Sequence, residues 1–436
     1  MKRLMATERV SGRGLEAPSG AARMSRDVRW NLGSLAIVGI GGILLNLLIA
    51  DQYGEAALGV FNQVFAAYIF FSQFAAGGVH LSALRAVAQA HSDAGRRVAV
   101  SAAVALTAFL SILFTAGFYF SRVPIAWALA SPDVATGMAW ASLGLFCFAV
   151  NKTLFGVING RRQMRLYAVA QALRTVLMLA TLLVLIYIGA ASERVPVVFT
   201  IAEIAIFVIL TIATAGDSAA KWDGRWRVWI RRHFRFGVRS AGSGIMLELN
   251  TRVDVLMLGL MKSDAVVGLY SFAAMLVEGI AQLPIVARTN VNPLLAKHLK
   301  TRDLAALAPI VSKTRKLTFL AMLAVGVIAV AAYPIGVRLV TNREVFFDSW
   351  PIFAILMGGL VASAAWIPLN QILLQGGRPA THTVMSLIIV IANIAMNAAL
   401  IPAFGAIGAA FATAAAFLIS AVLVRWLAWQ CLEVRV

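Results

Sequence analysis

Glu55-Ala56-Ala57-Leu58-Gly59-Val60-Phe61 and Asp264-Ala265-Val266-Val267-Gly268-Leu269-Tyr270 read the same way: acid, Ala, two aliphatics, Gly, aliphatic, aromatic. They lie 209 residues apart, and the same register pairs Gly33-Ser34 with Gly242-Ser243, Leu47 with Leu256 and Gln73 with Gln282 without a gap. Farther on, Asn159-Gly160-Arg161 resembles Gly376-Gly377-Arg378 at an offset of 217, a slip of eight residues that a loop insertion produces. One half of the chain repeats the other.

What repeats is hydrophobic. Of 436 residues 61% are apolar and 13% charged, against about 45–50% and about 25% in soluble proteins. Disorder and a disulfide scaffold are excluded, and the composition fits a bilayer. A membrane helix needs about 20 apolar residues. Twelve windows qualify: 31–50, 56–80, 98–120, 135–157, 168–190, 195–215, 241–261, 266–288, 317–340, 351–374, 383–402 and 406–427. The expected fold is an all-α polytopic membrane protein of about 12 transmembrane helices, in two six-helix repeats. Six is even, so both halves enter from the same side and are parallel repeats, an arrangement found in transporters.

The net charge of +19 suggests nucleic acid in a soluble protein; here its distribution decides. The segments on the N-terminal side of the membrane hold 32 Lys/Arg, the opposite side holds four (Arg122, Arg194, Lys262 and Arg343), and Arg252 and Arg338 remain inside spans. This bias predicts both termini in the cytoplasm, with the first span an uncleaved signal anchor. The charges are scattered over several loops and contact anionic lipid headgroups; nucleic acid is not expected as a partner. The implied organisation is a basic tail over 1–29, lobes over 30–216 and 239–430, a basic linker over 217–238 and a short tail over 431–436. Cys147 and Cys431 are too far apart in this topology for a disulfide.

A charge at the bilayer centre costs about 2.5–3.5 kcal/mol on insertion scales, so Glu203, Glu248, Arg252, Asp254 and Glu278 each need a partner, a wet cavity or the interface. On the seventh span Met246, Leu249, Val253, Leu256 and Leu260 fall within an arc of about 80°. Glu248 and Arg252, at i, i+4, occupy another side, and Asn250 and Asp254 a third. Two readings stand for the first pair: mutual neutralisation inside the bundle, or an Arg252 guanidinium offered to an anionic ligand. Asp254 is then a candidate proton or cation site, since desolvation raises a carboxylate pKa, with Glu278 as a second ion-coupling candidate. On the first span Asn31 and Asn46 share a polar stripe that serves either close helix packing or the cavity wall. Lys152 and Arg174 either snorkel to the interface or join Arg85 in a cationic vestibule. Pro284, Pro334 and Pro368 are expected to bend spans eight to ten. No His lies deep in a span, and no H-E-x-x-H, G-x-S-x-G, P-loop or Cys/His cluster occurs. Catalysis, a metal and a cofactor are therefore not expected.

At this point the residues carry a resemblance. Asn250-Thr251-Arg252-Val253-Asp254-Val255-Leu256-Met257-Leu258-Gly259 with Asp264–Tyr270, and Asp51-Gln52-Tyr53-Gly54 leading into Glu55–Phe61, resemble the polysaccharide-export (Wzx-like) flippases of the multidrug/oligosaccharidyl-lipid/polysaccharide (MOP) superfamily. The resemblance implies two six-helix lobes around a cavity lined by the first and seventh spans, with alternating access. Its implied substrate is a polyprenyl-diphosphate-linked oligosaccharide, an O-antigen or other surface-polysaccharide precursor, crossing a bacterial inner membrane under an ion gradient or potential. Arg252 is the leading match for the diphosphate and Asp254 for coupling. Glycosyltransferases and a polysaccharide polymerase are the implied partners. The two extra helices of the peptidoglycan-precursor flippases are absent. The alternatives are a multidrug or cation antiporter of the same superfamily, and a non-transporting scaffold for glycosyltransferases.

Overall fold

The computed structural model describes residues 20–218 and 225–434; the side chains of 20–28, 218 and 241–250 lie outside that description. In chain order the helices are α1 (Gly20–Tyr53), α2 (Glu55–Ala76), α3 (Val79–Ala88), α4 (Asp93–Phe120), α5 (Arg122–Ala128), α6 (Pro132–Gly160) and α7 (Met164–Tyr187). They continue as α8 (Val197–Ser218), α9 (Arg225–Met261), α10 (Asp264–Thr301), α11 (Leu304–Val340), α12 (Trp350–Ser363), α13 (Ile372–Gln375) and α14 (Pro379–Leu432). Among the described residues there is no strand, as a bilayer requires of a chain that does not close into a barrel.

Ten of these segments are long and apolar enough to cross a membrane. α14 is one of the ten and holds the last two hydropathy windows, folding back at Gly405 with φ 56° and ψ −132°, a backbone conformation that only glycine adopts without strain. The seventh window is the second half of α9. The all-α polytopic reading therefore holds.

The basic linker read from the sequence is helical from Arg225 and runs without interruption into the seventh window. Its first turns are amphipathic: Trp226 and His233 are buried while Val228, Phe234 and Val238 are exposed, and this face packs on α3 and α4. His233 fastens it, its Nδ1 lying 2.8 Å from the Ser82 hydroxyl and its Nε2 3.0 Å from the Ala99 carbonyl. A carbonyl only accepts, so Nε2 carries the proton and Nδ1 accepts from Ser82, the bonding pattern of a neutral ring. Burial, the largest cause, pushes the His233 pKa down to about 4.

The halves repeat in length as well as sequence, except that α11 has 37 residues where α4 has 28. The eight-residue slip thus falls within a lengthened helix. α2 and α3 break at Gly77 and Gly78, with φ of 49° and 67°, where their counterpart α10 continues through Pro284 as one helix. The expected bend in span ten is a true break: helix stops at Ser363 and resumes at Ile372, with a tight turn over Ile367–Leu369 between.

The halves meet where α2 crosses α10, at the end of the bundle remote from the basic start of α9. There the repeat becomes a reciprocal contact: Gly59 lies against the Asp264 carbonyl, and Gly268 against the Glu55 carbonyl. Any Cβ at either glycine would collide with the opposing backbone. Residue i touching j while j's counterpart touches i's counterpart is the signature of a two-fold relation, at the register of 209 read from the sequence. The Asp264 carboxylate is satisfied from the first half, by Gln63 Nε2 at 2.6 Å and Ser131 Oγ at 2.7 Å. Beside it Arg343 donates to the Asp51 and Gln52 carbonyls at 2.7 and 3.0 Å, and Asn342 N–H to Asp51 Oδ1 at 3.1 Å.

Candidate functional site

Below this crossing, nine residues along α9 from Met261 and so about 14 Å into the bundle at 1.5 Å per residue, lies Arg252. Its Nη1 is 3.7 Å from Glu278 Oε1 of α10, and its guanidinium lies 5.0 Å from the centre of the Phe65 ring of α2. Arg252 therefore touches both halves. The pairing is loose: the distance exceeds hydrogen-bond range, Glu278 is 51% exposed, and Arg252 Nε is buried without a hydrogen-bond partner. The Glu248 and Asn250 side chains lie outside the described residues, so the i, i+4 pairing read on α9 does too. The described carboxylate beside Arg252 is on the next helix.

Two residues on, the helix turns Asp254 by about 200°, away from that space and into the second half. It is buried. Its Oδ2 accepts from the Tyr270 hydroxyl of α10 and, at 3.1 Å, from Thr413 Oγ1 of α14, while Oδ1 has no hydrogen-bond partner. The sequence reading missed Tyr270 and Thr413. Tyr270 was in view as the last residue of the repeat motif; Thr413 gave no signal.

The other sequence candidates fall into separate places. Asn46 of α1 donates to the Gly42 carbonyl at 2.9 Å and accepts from Asn62 of α2 at 3.1 Å, tying the first two spans together. Asn31 is exposed on the same helix. Arg174 of α7 does not reach for the interface: its Nε is 2.8 Å from Glu203 of α8, a buried carboxylate that needs a cation beside it. Asn151 of α6 donates to the same carboxylate at 2.8 Å, and Phe148 and Phe155 flank the guanidinium at 5.3 and 5.2 Å. Lys152 donates to Gln73 at 3.2 Å and lies 5.5 Å from the same Phe148 ring. Arg85 is not with them; it faces Phe236 of α9 at 6.0 Å. Among the described residues no cluster of His, Cys, Asp and Glu suited to a metal occurs.

The chain is a polytopic helical bundle whose halves exchange a reciprocal contact, with an arginine inside it bordered by both. Residues 26–298 match the family described as polysaccharide biosynthesis protein, and the chain belongs to that family, as the resemblance to the polysaccharide-export flippases implied. No curated protein matches the chain. Among solved structures it is similar to an inward-facing multidrug resistance MATE family transporter of the MOP superfamily, with a TM-score of 0.73 and 15% identity over 91% of this chain and 94% of that one. It is also similar to the lipid II flippase MurJ in an inward closed conformation, with a TM-score of 0.73 and 14% identity over 92% of this chain and 87% of that one. A mutant of the Vibrio cholerae MATE transporter VcmN follows, with a TM-score of 0.62 and 13% identity over 94% and 97%. At these identities the likeness shows the fold.

Proposed function

We propose that this protein is a flippase that carries a polyprenyl-diphosphate-linked oligosaccharide, a surface-polysaccharide precursor, across a bacterial inner membrane by alternating access of the lobes 30–216 and 239–430. In this reading both termini are cytoplasmic, the crossing of α2 and α10 faces the periplasm, and Arg252 receives the diphosphate. The observation that carries the reading is the state of Arg252: a cation deep in the bundle, bordered by both halves, with a distant carboxylate and a free Nε. Arg174, by contrast, has its carboxylate close by, with Nε 2.8 Å from Glu203. Arg252 keeps donors in reserve, and a planar guanidinium suits phosphate oxygens in bidentate geometry. Glu278 holds the guanidinium until the diphosphate displaces it, and Asp254, with one unpaired oxygen, is the coupling group for a proton or cation. Asn31 and Asn46 belong to the cavity wall in this reading and Lys152 to its cationic approach, while Arg174 is held by Glu203 and Arg85 lies apart against the start of α9; glycosyltransferases and a polymerase supply and consume the glycan.

The test is export in a deletion strain complemented with variants expressed to equal levels. R252Q is expected to abolish surface polysaccharide and to leave lipid-linked glycan on the inner leaflet, with R252K restoring little because a point charge does not reproduce the fork. Full export by R252Q, with drug susceptibility changed by D254N instead, would favour an antiporter. Full export by both variants would favour a scaffold.

A further inference from the structure

The break in span ten lies in the basic end of the second lobe, and its surroundings are incompletely bonded. Irregular backbone at membrane depth persists only where protein or a wet cavity surrounds it, and in transporters broken helices mark binding sites. Here the break contacts α10 and α11. Asn292 of α10 donates to Gln371 Oε1 at 2.6 Å, and the guanidinium of Arg315 on α11 lies 5.0 Å from the centre of the Trp366 ring.

Trp366 Nε1 and Arg315 Nε are both buried and have no hydrogen-bond partner. Both are obligate donors, so what these two lack is an acceptor, while Asn292 Oδ1, also buried and unbonded, lacks a donor. The charges point the same way. Arg425 of α14 lies close enough to Arg315 for the two to repel. Arg288 is half-buried one turn before Asn292 on the same side of α10. None of the three arginines has a carboxylate partner among the described residues, whereas Arg96, Arg161 and Arg174 each have one. Unpaired donors beside unpaired cations, at a gap in a helix, call for a ligand that brings several anionic oxygens. Phosphate and diphosphate groups do so, and arginine forks match them.

We propose that Arg315, Arg425 and Trp366, with Arg288 on the adjoining side of α10, form a second site, for the phosphate oxygens of a diphosphate or of an anionic phospholipid headgroup. It is distinct from Arg252: Arg288 lies ten residues, about 15 Å, along α10 from Glu278. Trp366 donates one bond and gives Arg315 a flat surface that fixes the plane of its fork, while Arg425 closes the site from α14.

Binding is measured on the full chain in the R252Q background, so that the space between the lobes contributes nothing and the failure of one reading leaves the other standing. The probes are inorganic pyrophosphate, titrated onto protein in phosphatidylcholine nanodiscs, and phosphatidylglycerol, followed by its retention through purification. R315Q and R425Q are expected to weaken binding of at least one probe about tenfold or more. W366F, which keeps the ring and removes one N–H, is expected to weaken it several-fold without loss of fold. An effect on pyrophosphate assigns the site to a diphosphate, and an effect on phosphatidylglycerol alone assigns it to a membrane headgroup. The proposal is overturned if the R252Q parent binds neither probe, or if all three variants bind both as the parent does.

Discussion

Removing the Arg343 side chain should open the far end of the bundle. Arg343 belongs to the second lobe and donates two bonds, at 2.7 and 3.0 Å, to the Asp51 and Gln52 carbonyls in the last turn of α1. Those carbonyls have no partner within their own helix and sit at the negative end of its dipole. Gly54, with φ 93°, leaves the space that the guanidinium fills. The bonds are exposed, so water competes and each is worth about 0.5–1 kcal/mol, the low part of the usual range. R343A should therefore cost the closed far end about 1–2 kcal/mol, a change of roughly 5–30-fold in the ratio of closed to open. D51A is the internal control: it leaves both carbonyls in place and removes the 3.1 Å bond from Asn342 N–H, the one bond its side chain makes to the second lobe, together with the local 2.6 Å bond from Gln52 Nε2, so its effect on the far end should be under half as large. Spin labels at W127C and E344C, introduced with C147A and C431S, report the separation of the two lobes at this end. The long-distance population should grow in R343A and barely move in D51A. An unchanged distribution in R343A, or a larger shift in D51A, would refute the assignment of the latch to Arg343.

The same labels test the glycine crossing, where G268A has no room against the Glu55 carbonyl. Overpacking costs about 1–3 kcal/mol, the far end should open further than in R343A, and G59A with G268A should be clearly less than additive, since either one already separates the helices. Asp217 is 2% exposed and pairs with both Arg96 and Arg161, joining α4, α6 and α8. D217N leaves two arginines facing each other and should lower stability by about 2–3 kcal/mol, below the usual figure for a buried pair because the arginines are partly solvated; thermal unfolding in nanodiscs checks this, and a change under 1 kcal/mol would count against it. Acid should loosen the start of α9. The folded His233 pKa of about 4 lies below its free value, so docking is complete above about pH 6.5 and weakens by about 1.4 kcal/mol per unit as pH falls toward 4. Hydrogen exchange over 225–240, corrected for intrinsic rate, should rise across that window and become independent of pH in H233Q.

The fold was legible because its causes are local. Apolar windows locate spans without any tertiary knowledge, and the acid-Ala-x-x-Gly motif related the two halves, though not the contact that its glycines make. What was not legible is which helices face each other. Glu248, one turn away on its own helix, was one of two readings for Arg252 and lies outside the described side chains; the described neighbour, Glu278, is 26 residues on and becomes adjacent only when α9 and α10 fold back at Lys262-Ser263. Arg174 was read against the membrane interface for the same reason, since Glu203 is on another span. The breaks were harder still. Pro284 sits within a continuous α10, and the true gaps fall at Gly77-Gly78 and around Pro368, because neighbouring helices can re-satisfy a backbone freed by proline.

The two lobes place charge in the membrane to different ends. In the first, Arg174 and Glu203 form a close ion pair at 2.8 Å between aromatic rings, and Asn151 donates to the same carboxylate. A pair held so closely must give up that contact before it gains a ligand, which makes it a brace. In the second, Arg252 has a buried free donor and a carboxylate beyond hydrogen-bond distance, and Asp254 keeps one oxygen unpaired. These groups gain bonds on binding. Because α9 carries both, on opposite sides, a rotation or tilt of that one helix changes the surroundings of the cation between the lobes and of the carboxylate inside the lobe together. In the proposed flippase a ligand on Arg252 and an ion or proton on Asp254 would each bias the position of α9, and by linkage each would then alter the affinity for the other. Coupling in this protein would need no relay of residues, only a helix with two faces.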